Sequence, residues 1–192
     1  MLIKSEFEVA ESPEQVWEFF NDIPAVASCL PGADLSEKVD DDTYRGTVVV
    51  RLGPVKLSFA GEAKIRERDA DSKRLVVDAI GMDEKGRGEA ELILDASVAA
   101  GGSGAVVDIS QDLHLSGAAA QYGRGMVQDV TEILLDEFVS NMSAKLIALE
   151  AGVEHKAGQA KSASGFAIGF RALRLALARV ARRFFMPYPT TD

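Results

Sequence analysis

Between residues 44 and 115 the chain passes through five successive segments of alternating apolar and polar residues, and no gap between them has room for a crossover helix. The segments are 44–52, 55–66, 73–82, 89–98 and 105–115. Gly53-Pro54, Asp69-Ala70-Asp71-Ser72, Gly86 with Gly88, and Gly101-Gly102-Ser103-Gly104 supply the turns between them. Parallel neighbours need a connection of about a dozen residues or more, so strands joined this tightly pair antiparallel, as a meander. In 55–66, Val55, Leu57, Phe59, Gly61, Ala63 and Ile65 share one face, while Lys56, Ser58, Glu62 and Lys64 share the other. One face of the sheet is therefore expected to be covered and the other solvated.

The segments on either side say what covers it. Residues 2–10 alternate as an opening strand. Ser12-Pro13-Glu14-Gln15 offers an N-cap, a proline at the first helical position and a capping-box glutamine, ahead of the apolar Val16, Trp17, Phe19 and Phe20. Pro24 and Pro31-Gly32 bracket a second short helix at 25–29. From Ala118 the period becomes helical for some thirty residues, with Tyr122, Met126, Val130, Ile133, Leu134, Phe138, Met142 and Leu146 at three- and four-residue steps. These elements predict an α+β fold of the helix-grip type: a curved antiparallel sheet around a helix of about 45 Å. Between sheet and helix such a fold is expected to leave a cavity suited to a ligand.

The charge is divided along the chain. Thirty acids face 21 bases, a net of −9, which argues against a general nucleic-acid binder. Residues 1–152 hold 28 acids and 14 bases, whereas 153–192 hold two acids and seven bases. The stretch AGVEHKAGQAKSASG has no apolar period and reads as a flexible linker with a mean reach of about 20 Å. We therefore expect three parts: a ligand-binding domain over 1–152, a linker over 153–165 and a tail helix over 166–186. One cysteine and two histidines leave no internal disulfide and little material for a metal site. The amino terminus has no basic region followed by an apolar run, so a cytoplasmic location is expected.

No residue pattern points to catalysis. His114 falls on the polar face of the last strand with Asp112 and Ser116, and His155 falls in the linker. Cys29 reads as a small packed residue. Asp40-Asp41-Asp42 lacks the glycine and distal glutamate of a calcium loop and reads as a solvated turn. Gly81, Gly86 and Gly88 lie between strands and lack the lysine of a phosphate loop. The residues expected to wall an internal cavity are Trp17, Phe20, Val48, Val50, Leu57, Phe59, Leu92, Leu113, Tyr122, Met126 and Val130. Gln111 shares the face of Leu113 and Leu115; if buried it needs a partner, and a ligand carbonyl would serve.

The tail carries the sharpest pattern. Phe166, Phe170, Leu173, Leu177, Val180 and Phe184 fall on one face of a helix, and Arg171, Arg174, Arg179, Arg182 and Arg183 on the other. Pro187 ends it. Five arginines would cost about 2.5–3.5 kcal/mol each near a bilayer centre, so the segment suits the surface of an anionic membrane and not its interior. A groove on a protein partner, or the acidic body of the same chain, would suit the pattern as well.

CLPGADL at 29–35, TYRGTVVVRLGPVKLSFAGEAKI at 43–65 and SGAAAQYGRGM at 116–126 together resemble the carbon monoxide dehydrogenase G-subunit family of the START-like helix-grip superfamily. The resemblance covers about residues 1–151. It implies a non-catalytic accessory protein that recruits a carbon monoxide dehydrogenase-type molybdenum hydroxylase to the inner face of the cell membrane and links it to the respiratory chain. It also implies a hydrophobic small-molecule ligand, with a membrane quinone (menaquinone or ubiquinone) as the natural candidate and no covalent cofactor. A polyketide cyclase or dehydratase-like enzyme, or a lipid-transfer protein, is the alternative use of the same cavity.

Overall fold

Short polar turns and period-two strands give the expected meander in the computed structural model, which describes residues 1–52 and 55–150. In chain order the elements are β1 (Leu2–Val9), α1 (Pro13–Asn21), α2 (Ile23–Cys29), β2 (Ala33–Lys38), β3 (Thr43–Leu52) and β4 (Val55–Asp69). They continue with β5 (Arg74–Asp83), β6 (Glu89–Ala100), β7 (Ala105–Leu115), α3 (Gly117–Ala120) and α4 (Arg124–Glu150). The Gly53-Pro54 turn, the linker with His155 and the tail helix lie outside the described residues.

The seven strands form one antiparallel sheet in the order β1-β7-β6-β5-β4-β3-β2. This corrects the expected curved sheet wrapped around the last helix. The sheet is open: its edges are β1 and β2, which do not pair, and α4 lies against one face of it without being enclosed. Two features keep the edges apart. The chain between them is occupied by α1 and α2, which pack on each other, with α2 against β2. The β2 edge is also short, bulged between Leu35 and Glu37, and exposed from Ser36 to Lys38, so it offers a poor template for further pairing.

β2 is an addition to the strands expected from alternation. With only Ala33 and Leu35 on its covered side, its period is too brief to stand out from a loop, and its pairing with β3 decides it. The long helix is also shorter than expected. Gly117 (φ +62°) turns the chain where an added Cβ would lie 2.0 Å from the Arg87 carbonyl oxygen, and α3 ends before Gln121. α4 then starts at Arg124 and runs about 40 Å.

Local chemistry accounts for the other elements. Ser12 Oγ accepts from the Gln15 N–H (3.3 Å), and Gln15 Oε1 accepts from the Ser12 N–H (2.8 Å), closing the capping box with Pro13 beside it. Asp22 Oδ1 accepts from the Ala25 N–H at 3.0 Å and caps α2. Asp40–Asp42 is the turn into β3, where Asp40 Oδ1 accepts from the Asp42 N–H at 2.9 Å. The main core gathers Val16, Phe19 and Phe20 of α1, Cys29 of α2 and Phe138, Met142 and Leu146 of α4 over the covered face of β4–β7.

Met142 has no exposed surface, whereas Met126 on the same helix is 44% exposed. Met142→Ala should therefore cost about 2–5 kcal/mol of unfolding free energy in urea titrations. Met126→Ala should stay within about 0.5 kcal/mol of wild type. Equal losses would contradict this seating of α4.

Candidate ligand-binding site

On the face turned toward α4, one row of register partners runs Tyr44, Ala63, Ala79, Leu92 and Leu113. A neighbouring row runs Gly46, Gly61, Gly81, Ala90 and Leu115, and another Ile65, Val77, Leu94, Gln111 and Ile3. Within these rows the β4 and β5 positions Gly61, Ala63, Ala79 and Gly81 carry little or no side chain.

The packing reflects that. Apolar side chains gather into two separate clusters, one at each end of α4. The larger, around Phe19, Phe138 and Met142, holds Phe20 buried and Trp17 packed at its edge. The smaller centres on Leu57, Ala119 and Val130, with Val50, Val55, Phe59, Leu115, Tyr122 and Leu134 against it. Between them Val48, Ala63, Ala79, Leu92, Gln111 and Leu113 belong to neither cluster and are only half-buried, although they face the helix side. The backbone of α4 comes closest to α2 and β1. The middle of this face is thus less completely covered than its two ends.

Of the twelve residues proposed from sequence, Val50, Leu57, Phe59, Tyr122 and Val130 meet in the smaller cluster at one end of this face, and Val48, Leu92, Gln111 and Leu113 lie along its middle. Phe20 and Trp17 pack at the opposite end. Met126 is the exception: in the first turn of α4 its side chain is 44% exposed, although Val130 one turn further on is buried. Gln111 stays half-buried, and among the described residues its side-chain amide forms no hydrogen bond. Ala63, Ala79 and Ile133 lie on the same side, though the sequence marks Ala63 and Ile133 only as members of an apolar face and does not mark Ala79. The alanines matter through what they lack, and only the register aligns them; Ile133 is buried on α4 yet in neither cluster.

A polar staple closes the end near Phe59. Asp83, paired in register with Phe59, is buried and accepts from the backbone N–H groups of Ser58 (3.2 Å), Lys85 (3.1 Å) and Arg87 (3.3 Å). Arg87 donates to it twice more, from Nε and Nη2 at 2.7 Å each, and also from Nη2 to the Lys56 carbonyl at 2.8 Å. The guanidinium holds the Asp83 carboxyl well below the usual carboxylate range, against the opposing effect of burial. Asp83 raises the Arg87 pKa in turn, with a smaller electrostatic contribution from Tyr122. A carboxylate so fully engaged is a structural anion and a poor proton donor.

The other titratable candidates stand apart from the middle of this face. His114 is exposed, with Nε2 3.4 Å from Asp112 Oδ1. The Asp112 carboxyl is held low chiefly by the N-terminal ammonium at 3.0 Å. Cys29 is buried and unbridged, and burial pushes its thiol up, away from the reactive thiolate. Among the described residues no group of three or more His, Cys, Asp or Glu side chains could hold a metal ion. No described helix is long and apolar enough to cross a membrane.

The layout of one long helix over an antiparallel sheet recurs in solved structures. A conserved protein from Geobacillus kaustophilus superposes with a TM-score of 0.69 at 15% identity, covering 77% of this chain and 95% of that one. An aromatase/cyclase from Streptomyces sp. R1128 gives 0.58 at 12% identity, covering 80% and 98%. A START superfamily protein from Mycobacterium smegmatis gives 0.55 at 14%, covering 77% and 98%. No curated protein matches the sequence. The fold is that of the START-like helix-grip superfamily. Residues 5–147 match the model of the carbon monoxide dehydrogenase G-subunit (CoxG) family, and the chain belongs to that family. It is accordingly a non-catalytic accessory protein.

The Asp83–Arg87 pair makes a pH prediction. The folded carboxyl releases its proton more readily than the unfolded one, so the stability from this pair is complete above the ordinary Asp value near pH 4 and falls away as the pH drops below it. Thermal melts of Asp83→Asn should show a lower Tm at neutral pH and a shallower decline between about pH 4 and pH 2. An unchanged acid slope would show that the pair does not form.

Proposed function

We propose that this protein holds a hydrophobic small molecule between its sheet and α4, and brings a carbon monoxide dehydrogenase-type molybdenum hydroxylase to the inner, cytoplasmic face of the cell membrane. The observation that carries the ligand reading is the half-exposed middle of the helix-facing sheet, floored by Ala63, Ala79, Leu92 and Leu113 and walled by Leu57, Phe59 and Val130. A flat, apolar ring with carbonyl groups fits such a slot, and the side-chain amide of Gln111 offers a donor for one carbonyl. A membrane quinone, menaquinone or ubiquinone, has that chemistry. Its place in the reading is as a carried molecule that couples the enzyme to the respiratory chain.

The membrane half of the reading rests on the sequence of 166–186. Six large apolar residues on one side and five arginines on the other give both a burial contribution and attraction to an anionic leaflet. The enzyme partner rests on the family to which the chain belongs.

Ala79→Trp tests the slot. If the space exists, the indole occupies it, Tm stays close to wild type, and uptake of added menaquinone, followed by native mass spectrometry, is lost. A well-packed interior would instead be strained by about 1–3 kcal/mol, and the variant would melt early. For the tail, deletion of 153–192 should abolish sedimentation with phosphatidylglycerol vesicles. Undiminished sedimentation would remove the membrane role.

A further inference from the structure

The sheet face turned away from α4 carries a second apolar feature. Ala60, Ile80 and Met82, with the backbones of Gly46, Gly61 and Gly81, line an open groove of about 500 Å³. Ile80 is 49% exposed and Met82 64%, an unusual cost for two large side chains in mid-sheet. The register places it. Ala60 pairs with Met82 and Glu62 with Ile80 on this face, while Gly46, Gly61 and Gly81, whose side-chain positions belong to the face toward α4, contribute only backbone.

Its rim is acidic. Ile80 sits in register between Glu62 on β4 and Glu91 on β6, and Met82 between Ala60 and Glu89. Arg45 is the base lining the groove, and it is already held by Glu62 (3.1 Å) and Glu37 (3.4 Å). An occupant should therefore be apolar along one side and basic along its flanks. The chain supplies such a segment: 166–186 has six large apolar residues at helical spacing, five arginines and no acid.

We propose that, away from a membrane, 166–186 lies in this groove with its apolar stripe over Ile80 and Met82 and its arginines facing Glu62, Glu89 and Glu91. Residues 151–165, fully extended, reach at most about 50 Å, more than the roughly 40 Å length of α4, so the tail can round the body from the end of α4 to the opposite face. One apolar stripe cannot lie in the groove and in a lipid leaflet together. The groove therefore competes with the membrane and sets how readily the protein boards it. This inference shares with the proposed function only the amphipathic spacing of 166–186.

The test uses the full chain with a photo-crosslinking benzoylphenylalanine in place of Phe170. In buffer, crosslinks within one chain should map to 60–62 and 80–82, and phosphatidylglycerol vesicles should abolish them. In parallel, the charge-neutral pair Ile80→Thr with Met82→Gln on the exposed face should keep the Tm of the wild type and raise apparent vesicle affinity, by about tenfold if the tail is docked nine-tenths of the time. Crosslinks that map elsewhere, or only between copies, would overturn the inference, as would an unchanged affinity of the double variant. Vesicle binding that persists in that case leaves the membrane role standing. Crosslinks to the groove without any vesicle binding would support docking and remove the membrane role.

Discussion

Phe138, Met142 and Leu146 hold the C-terminal half of α4 against Phe19 and Phe20 of α1, and the remainder of the structure is arranged around that contact. The rings of Phe19 and Phe138 are 6.4 Å apart and tilted at 54°. Two polar ties flank them. Asn141 donates to the Cys29 carbonyl at 2.9 Å, and Lys145 donates to the Ser28 hydroxyl at 2.7 Å. With that end seated on α2, a straight helix of 27 residues has its height above the sheet set along its whole length. Large side chains fill the two ends of the covered face, and Ala63 and Ala79 fall between them.

The solvated face of the sheet is organised by charge. Arg74 donates to both carboxylate oxygens of Asp95 (2.9 and 2.7 Å) and to Glu67 (2.8 Å), and Arg66 lies 2.7 Å from Asp78. Such exposed pairs add little stability singly. Across neighbouring strands they favour one register over a slipped one, which would bring like charges together. Around Ile80 and Met82, Arg45 is likewise held by Glu37 and Glu62, and Glu89 and Glu91 stand beside them. An acidic body joined to a basic tail is the result, and it bears on membrane boarding more than on folding.

Much of the secondary structure is legible in the sequence because its determinants are local. The capping box at Ser12 and Gln15 forms as expected, the prolines bracket α2, and six of the seven strands show as alternation, five of them joined by turn residues. β2 is not legible, because an edge strand with two covered residues has almost no period to display. The turn at Gly117 that opens α3 is hidden too, because it is set by the approach of the Arg87–Gly88 backbone, a neighbour distant in sequence.

The order and spacing of near neighbours suffice for the antiparallel meander, for the covered and solvated faces of its strands, for membership of the CoxG family and for the amphipathic composition of 166–186. The chain carries these properties in any conformation. Only the folded arrangement keeps the sheet open, aligns Ala63 and Ala79 with Leu92 beneath α4, and commits the charge of Asp83 to Arg87. It also sets Ile80 and Met82 in register with Glu62, Glu89 and Glu91, at an acidic groove. These features depend on strand register and on the height at which a helix is held, and both are settled by contacts between residues far apart in the chain.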